Sequence, residues 1–252
     1  MNRTALWHGF LCIAALVNVA AWFLAAHSFA PDPRVEGARH ALLWLSGLYV
    51  AGCAFRCFLP MVDVPRYCLL DSPLSRIFVG RSVATVAELA FVAQWAVLMH
   101  EAGAVRAAVA VIAVIAVAEL LSWLAVTTCN DLFHAAENAL WAAAAILATV
   151  FLASRWEYES DAGRRIIAAT FACTTAYVAF MGLYVVPMYL RRWHAEQGRY
   201  QTAAAGLRQV LGRCRVERDW REWRQDAAWL TPYFTLCVWF SIALVGVPSL
   251  RP

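Results

Sequence analysis

The chain has 252 residues, is 62% hydrophobic and only 15% charged, and carries a formal net charge of +4. A water-soluble domain of this size would show roughly 45–50% apolar and about 25% charged residues, so a soluble globular protein is a poor fit. All 21 basic residues are arginine, and without a lysine amine no retinal-type Schiff base can form.

The apolar excess falls into seven runs, at about 8–29, 40–60, 77–99, 105–127, 134–154, 165–190 and 229–248. Each is long enough to cross a hydrocarbon core of roughly 30 Å as a helix. The expected fold is therefore an all-α integral membrane protein. It forms a seven-transmembrane-helix bundle in one domain, 1–252, with an amphipathic interfacial helix between helices 6 and 7.

In the first run, Arg3 and the apolar stretch up to Ser28-Phe29-Ala30 loosely fit a secretory signal, but the length of the stretch favours a retained helix. Asn18 is expected to bond a neighbouring helix, and His8, His27 and His40 fall at span ends. Between the second and third runs, Pro60, Pro65 and Pro73 forbid a continuous helix. The segment is nonetheless apolar, which suits a loop lying at the interface and packed on protein. Asp63, Arg66 and Asp71 there would line an entrance or pair locally.

Runs three to five carry the feature that most needs explaining. Glu88, Glu119 and Glu137 lie inside otherwise apolar spans, where a carboxylate is expensive and normally faces a partner or a cavity. Glu88 stands about 14 residues before the turn near 100–105 and Glu119 about 15 after it, so a rise of about 1.5 Å per residue puts them at one height. Asn130, His134 and Glu137 follow at i, i+4 and i+7, one face if the fifth helix starts early. Arg81 and Thr85 share the face of Glu88, and Ser122 and Trp123 flank Glu119.

Three chemistries compete for this set. In acid–base catalysis Glu88, Glu119, His134 and Glu137 would be the catalytic residues. Arg81, Asn130, Trp123 and Tyr184 would bind substrate, Arg81 gripping an anionic group. A metal site would use His134, Glu137 and Glu119 on a divalent Zn, Mn or Fe ion, although His-x-x-Glu occurs once and no second histidine is near. A proton or cation relay would extend through Gln94 toward Thr174, Thr175, Tyr177 and Tyr184 on the sixth span. The leading reading is a membrane-embedded enzyme on a lipidic or isoprenoid-like substrate. The alternatives are a proton- or cation-coupled transporter or channel and a structural membrane subunit in which the carboxylates only fix helix register. The expected partners are membrane lipids and a lipidic small molecule or ion, with no nucleic acid.

Gly182 and Pro187 predict a kink in the sixth span. The stretch 191–228 interleaves Trp220, Trp223 and Trp229 with arginines, which reads as an amphipathic cytoplasmic segment at the lipid surface. Cys12, Cys53, Cys57, Cys68, Cys129, Cys173, Cys214 and Cys237 form no CxxC pair, so neither a disulfide framework nor a zinc ribbon is expected. The side holding the N-terminus carries 14 arginines and the other side, with Arg34, Arg39, Arg106, Arg155, Arg164, Arg165 and Arg251, carries 7. That bias predicts a bacterial inner-membrane protein with a cytoplasmic N-terminus and a periplasmic C-terminus.

Overall fold

The computed structural model describes residues 2–29, 36–154, 161–195, 200–212 and 214–247. Arg34, Arg155, Arg199, Arg213 and Arg251, all part of the arginine balance, lie outside the described residues. Among the described residues, seven helices are long and apolar enough to cross a membrane. The first five are α1 (Arg3–His27), α2 (Glu36–Phe58), α3 (Ile77–Glu101), α4 (Val105–Thr128) and α5 (Asp131–Ser154). The sixth crossing runs from α6 (Asp161–Phe180) into α7 (Val186–Ala195). The seventh joins α9 (Trp220–Pro232) to α10 (Val238–Val245). Several expected boundaries move outward: α1, α2 and α5 begin at Arg3, Glu36 and Asp131 instead of 8, 40 and 134, the sixth crossing reaches Ala195 instead of 190, and the seventh begins at Trp220 instead of 229. Hydropathy misses those turns because they carry arginines and acids while their other face packs on protein.

Local chemistry sets the helix ends. Asn2 caps α1 by accepting the Thr4 N–H at 3.0 Å. Asn130 does the same for α5, accepting from the Leu132 N–H at 3.0 Å. Cys129 stops α4 in the left-handed region at φ 53°, and Gly103, at φ 82°, turns the chain from α3 to α4. Where the sequence predicts a kink, the sixth crossing carries a π-helical segment, Met181–Val185, just before Pro187. A second one, Tyr233–Cys237, follows Pro232 in the seventh crossing. Pro187 has no N–H for the Leu183 carbonyl, which lies inside the first of these segments, so the ladder loosens there by one residue.

The helix α3 is central, with 56% of its apolar window buried, against 6% for the sixth crossing, which therefore lies at the edge. Small residues allow close contact: at Gly52 of α2 an added Cβ would stand 2.7 Å from Ala87 Cβ of α3. Asn18 bonds another helix, as expected, donating to the Phe234 carbonyl at 2.8 Å and accepting from Trp239 at 2.7 Å.

A small cap closes one end of the bundle. The proline-rich segment folds back as β1 (Met61–Val62) antiparallel to β2 (Tyr67–Cys68), with β3 (Arg215–Val216) parallel to β2. Residues 61–64 and 66–69 are buried, so the loop is packed on protein. Helix α8 (Ala203–Val210) sits on the end of α4, so close that a Cβ on Gly206 would lie 1.5 Å from the Thr127 carbonyl oxygen. Arg66 fastens the two parts. It donates to the carbonyls of Val126, at 2.6 and 3.2 Å, and of Thr127, at 3.2 Å, and to Gln209 Oε1 at 2.5 Å and Gln201 Oε1 at 3.3 Å. The last carbonyls of a helix have no intrahelical donor, and a guanidinium there answers both hydrogen bonding and the helix dipole.

Two expectations fail in this cap. The single amphipathic helix across 191–228 is instead the end of α7, the short α8, strand β3 and the first turns of the last crossing. Pairing of β3 with β2 interrupts the helical pattern that the spacing suggested. Contrary to the expectation of no disulfide, Cys68 and Cys214 are bonded, with Cα atoms 5.9 Å apart across 146 residues of chain. Sequence spacing gave no sign of it, because only the folding of the cap brings β2 and β3 together.

Candidate functional site

Arg81 enters from the second turn of α3 and is 3% exposed. Its Nη2 donates to Glu88 Oε2, one helix face along, and across the α3–α4 contact to Glu119 Oε2 at 2.7 Å. Its Nη1 points toward Asp63 Oδ2 of the cap at 3.7 Å and toward Glu137 Oε1 of α5 at 3.9 Å. Glu88 and Glu119 meeting on one nitrogen agrees with the equal heights expected from the antiparallel placement. Planar guanidinium forks suit this many-sided pairing, and lysine would not replace one.

Around this centre each carboxylate has its own partners. Thr85 donates to Glu119 Oε2 at 2.7 Å and accepts from the Trp123 indole at 3.2 Å. Tyr233, from the π-helical segment of the last crossing, donates to Glu88 Oε1 at 2.9 Å. His134 Nδ1 lies 2.7 Å from Glu137 Oε2, and the Asn138 amide donates to the His134 carbonyl at 2.8 Å. The Tyr189 ring sits against the imidazole, centroids 5.1 Å apart. Among the described residues, Glu119 Oε1 and Ser122 Oγ, one turn apart on α4, are buried without a hydrogen-bond partner.

Of the predicted set, Arg81, Glu88, Glu119, His134 and Glu137 are brought together, and Trp123 joins them through Thr85. Asn130 is not there; it caps α5, because that helix begins at Asp131. Tyr184 is not there either, since its hydroxyl donates to the Gln225 carbonyl at 3.2 Å. Gln94 is engaged within the bundle. Its amide donates to the carbonyls of Leu42 and Ser241 and accepts from Ser241 Oγ at 2.6 Å, so it ties three helices together.

Glu88, Glu119 and Glu137 can each bring an oxygen within 4.8 Å of the others, close enough to share an ion. His134 is absent from that group, so the donor set is all carboxylate, which suits a hard cation such as Mn²⁺ better than Zn²⁺. Any such ion would share Glu88 and Glu119 with the guanidinium of Arg81. Four carboxylates (Asp63, Glu88, Glu119, Glu137) face Arg81, His134 and, near Glu88, Arg56. Even with a protonated imidazole the negative charges among these groups outnumber the positive ones by four to three, which makes the cluster a place for a proton or a cation.

A second buried cluster was missed. Asp226 is 1% exposed and accepts from Tyr67 at 2.7 Å, Arg192 at 2.9 Å and the Trp229 indole at 3.1 Å. In sequence it looked like one more acid diluting an arginine-rich loop. Its position three residues before Trp229 on a helical face was the available signal. Burial, with Asp226 beside it, holds the Tyr67 phenol well above the usual tyrosine range, so it stays a donor.

Fold and site together define a predominantly helical protein with seven helices fit to cross a membrane and a capped, buried arginine–carboxylate–histidine cluster. Compared with known protein families, curated proteins and solved structures, the chain finds no match.

Proposed function

We propose that the protein is a membrane-embedded enzyme acting on a lipidic substrate, with Glu119 as its acid–base group. The observation that carries this reading is the asymmetry of Glu119. Oε2 is held by Arg81 and Thr85, while Oε1 is buried and receives no N–H or hydroxyl donor, and one turn along α4 the Ser122 hydroxyl is likewise buried without a partner. Each unmet polar atom costs about 1–3 kcal/mol, and such atoms call for a role. Thr85 and Trp123, which complete this corner, are only half-buried and are flanked by exposed Val86, Leu120 and Leu124. A lipid tail can therefore approach between α3 and α4 from the side. Arg81 orients Glu119, and His134 with Glu137 offers a second proton site nearby. A metal-assisted form would place a divalent ion on Glu88, Glu119 and Glu137. Stoichiometric metal in purified protein supports that form, and full activity in metal-free protein removes it.

The test is reconstitution into liposomes of total polar lipid, followed by lipid mass spectrometry. Wild type should convert a lipid species, and Glu119→Gln should not, while remaining folded. The excess of buried carboxylate over cation also supports the transporter reading. If no lipid changes but wild-type liposomes pass protons or cations and Glu119→Gln liposomes do not, the transporter reading replaces the enzyme. If wild type does neither, the cluster is structural.

The arginine asymmetry supports a bacterial inner-membrane location with the capped face in the cytoplasm. The Cys68–Cys214 bond argues the other way, because disulfides are rare in reducing compartments. Among the described residues, the exposed arginines Arg3, Arg76, Arg191, Arg208, Arg215, Arg218, Arg221 and Arg224 lie at the capped end and Arg106, Arg164 and Arg165 at the other, and this balance of eight to three favours a cytoplasmic cap.

A further inference from the structure

We propose that the cleft between the sixth and seventh crossings binds a phosphate-bearing anion, most naturally the headgroup of an anionic lipid. The cleft has a volume of about 390 Å³ and is lined by Tyr184, Arg221, Arg224 and Gln225. Among the described residues no carboxylate lines it. Its polar groups are turned to present donors. The Tyr184 hydroxyl is spent on the Gln225 carbonyl at 3.2 Å, and Gln225 Oε1 is taken by Arg192 Nε and Nη2 at 3.2 and 3.0 Å. That leaves the Gln225 amide N–H groups and two guanidinium groups, three residues apart on α9, to face the cleft. Arg221 is partly countered by Asp219 at 3.3 Å, with the Arg221 side chain 83% exposed. Behind Gln225, Arg192 keeps Nη1 buried and unpartnered.

A fork of guanidinium and amide donors matches the several oxygens of a phosphate group. Leu183, next to Tyr184 and 81% exposed, offers apolar surface for the attached chains. The site also adjoins the carboxylate cluster. Arg192 stands 5.7 Å from the centroid of the Tyr189 ring, and that ring also lies against the His134 ring, centroids 5.1 Å apart. The binding site is independent of the enzyme reading, because it is tested by binding without turnover.

The experiment uses the full chain in detergent, with intrinsic tryptophan fluorescence as readout. It is titrated with a short-chain phosphatidylglycerol, a diacylglycerol of the same chains, and inorganic phosphate as competitor. Phosphatidylglycerol should bind at least about tenfold more tightly than diacylglycerol, and the double variant Arg221→Gln with Arg224→Gln should lose at least about tenfold. The variant should keep its melting temperature, since both side chains are exposed. Displacement by inorganic phosphate assigns the site to the free anion, and resistance to displacement assigns it to the lipid. Equal binding of the two lipids, or of phosphatidylglycerol by wild type and the double variant, overturns the proposal.

Discussion

Arg81 of α3 and Glu119 of α4 are joined across the helix contact at 2.7 Å, and neither is more than 4% exposed. Removing one partner of such a pair leaves an uncompensated charge in a low-dielectric place, which typically costs about 3–5 kcal/mol. Arg81→Gln should therefore destabilise the detergent-solubilised protein by about that amount in a thermal or denaturant titration. Adding Glu119→Gln should recover part of the loss. A double variant no more stable than the single one would show that the pair is not energetically linked.

The Tyr67–Asp226 bond, 2.7 Å long, fastens the cap to the last crossing. Tyr67→Phe leaves a buried carboxylate short of one donor, for a cost of about 1–3 kcal/mol. The folded phenol is shifted above its unfolded value of about 10, so the folded state holds its proton more tightly. The stability this contributes is intact below about pH 10 and is lost as pH rises beyond it. The gap between wild type and Tyr67→Phe in denaturant titrations should shrink above that pH. A gap unchanged on the alkaline side would place the stabilisation elsewhere.

Gly206 has no room for a side chain, because a Cβ would meet the Thr127 carbonyl at 1.5 Å. Gly206→Ala must push α8 off the end of α4, an overpacking cost of about 1–3 kcal/mol. Hydrogen exchange should speed up across Ala203–Val210, while the amides of α3 keep their protection. Unchanged exchange in α8 would mean that the helix is not seated as described.

A C-terminal reporter decides orientation. With the capped face in the cytoplasm, a C-terminal alkaline phosphatase fusion should be active and a green fluorescent protein fusion dark. The reverse result places the cap outside and makes the Cys68–Cys214 bond an ordinary feature of an oxidising compartment.

The helices were legible because a hydrocarbon core demands about 20 apolar residues, a demand that α1 to α5 meet with 23 to 25 residues each. The meeting of Glu88, Glu119 and Glu137 was legible for a related reason: a fixed rise per residue turns distance from a turn into depth. The cap was not legible. Its strands are two residues long, and what fixes them is tertiary: Arg66 on the carbonyls of α4 and Cys68 on Cys214. Asn130 misled because a polar residue in register with a helix face can equally be its cap. Tyr233 was missed because the π-helical segment shifts the angular register that a sequence pattern assumes constant.

The bond between Cys68 and Cys214 makes the polypeptide a ring holding the third to sixth crossings. One protease cut inside that ring opens it without freeing a fragment, so the nicked protein should migrate as one species until a reductant is added. Cuts before Cys68 or after Cys214 release a piece at once, so gels run with and without reductant would reveal on which side of the ring each cleavage lies.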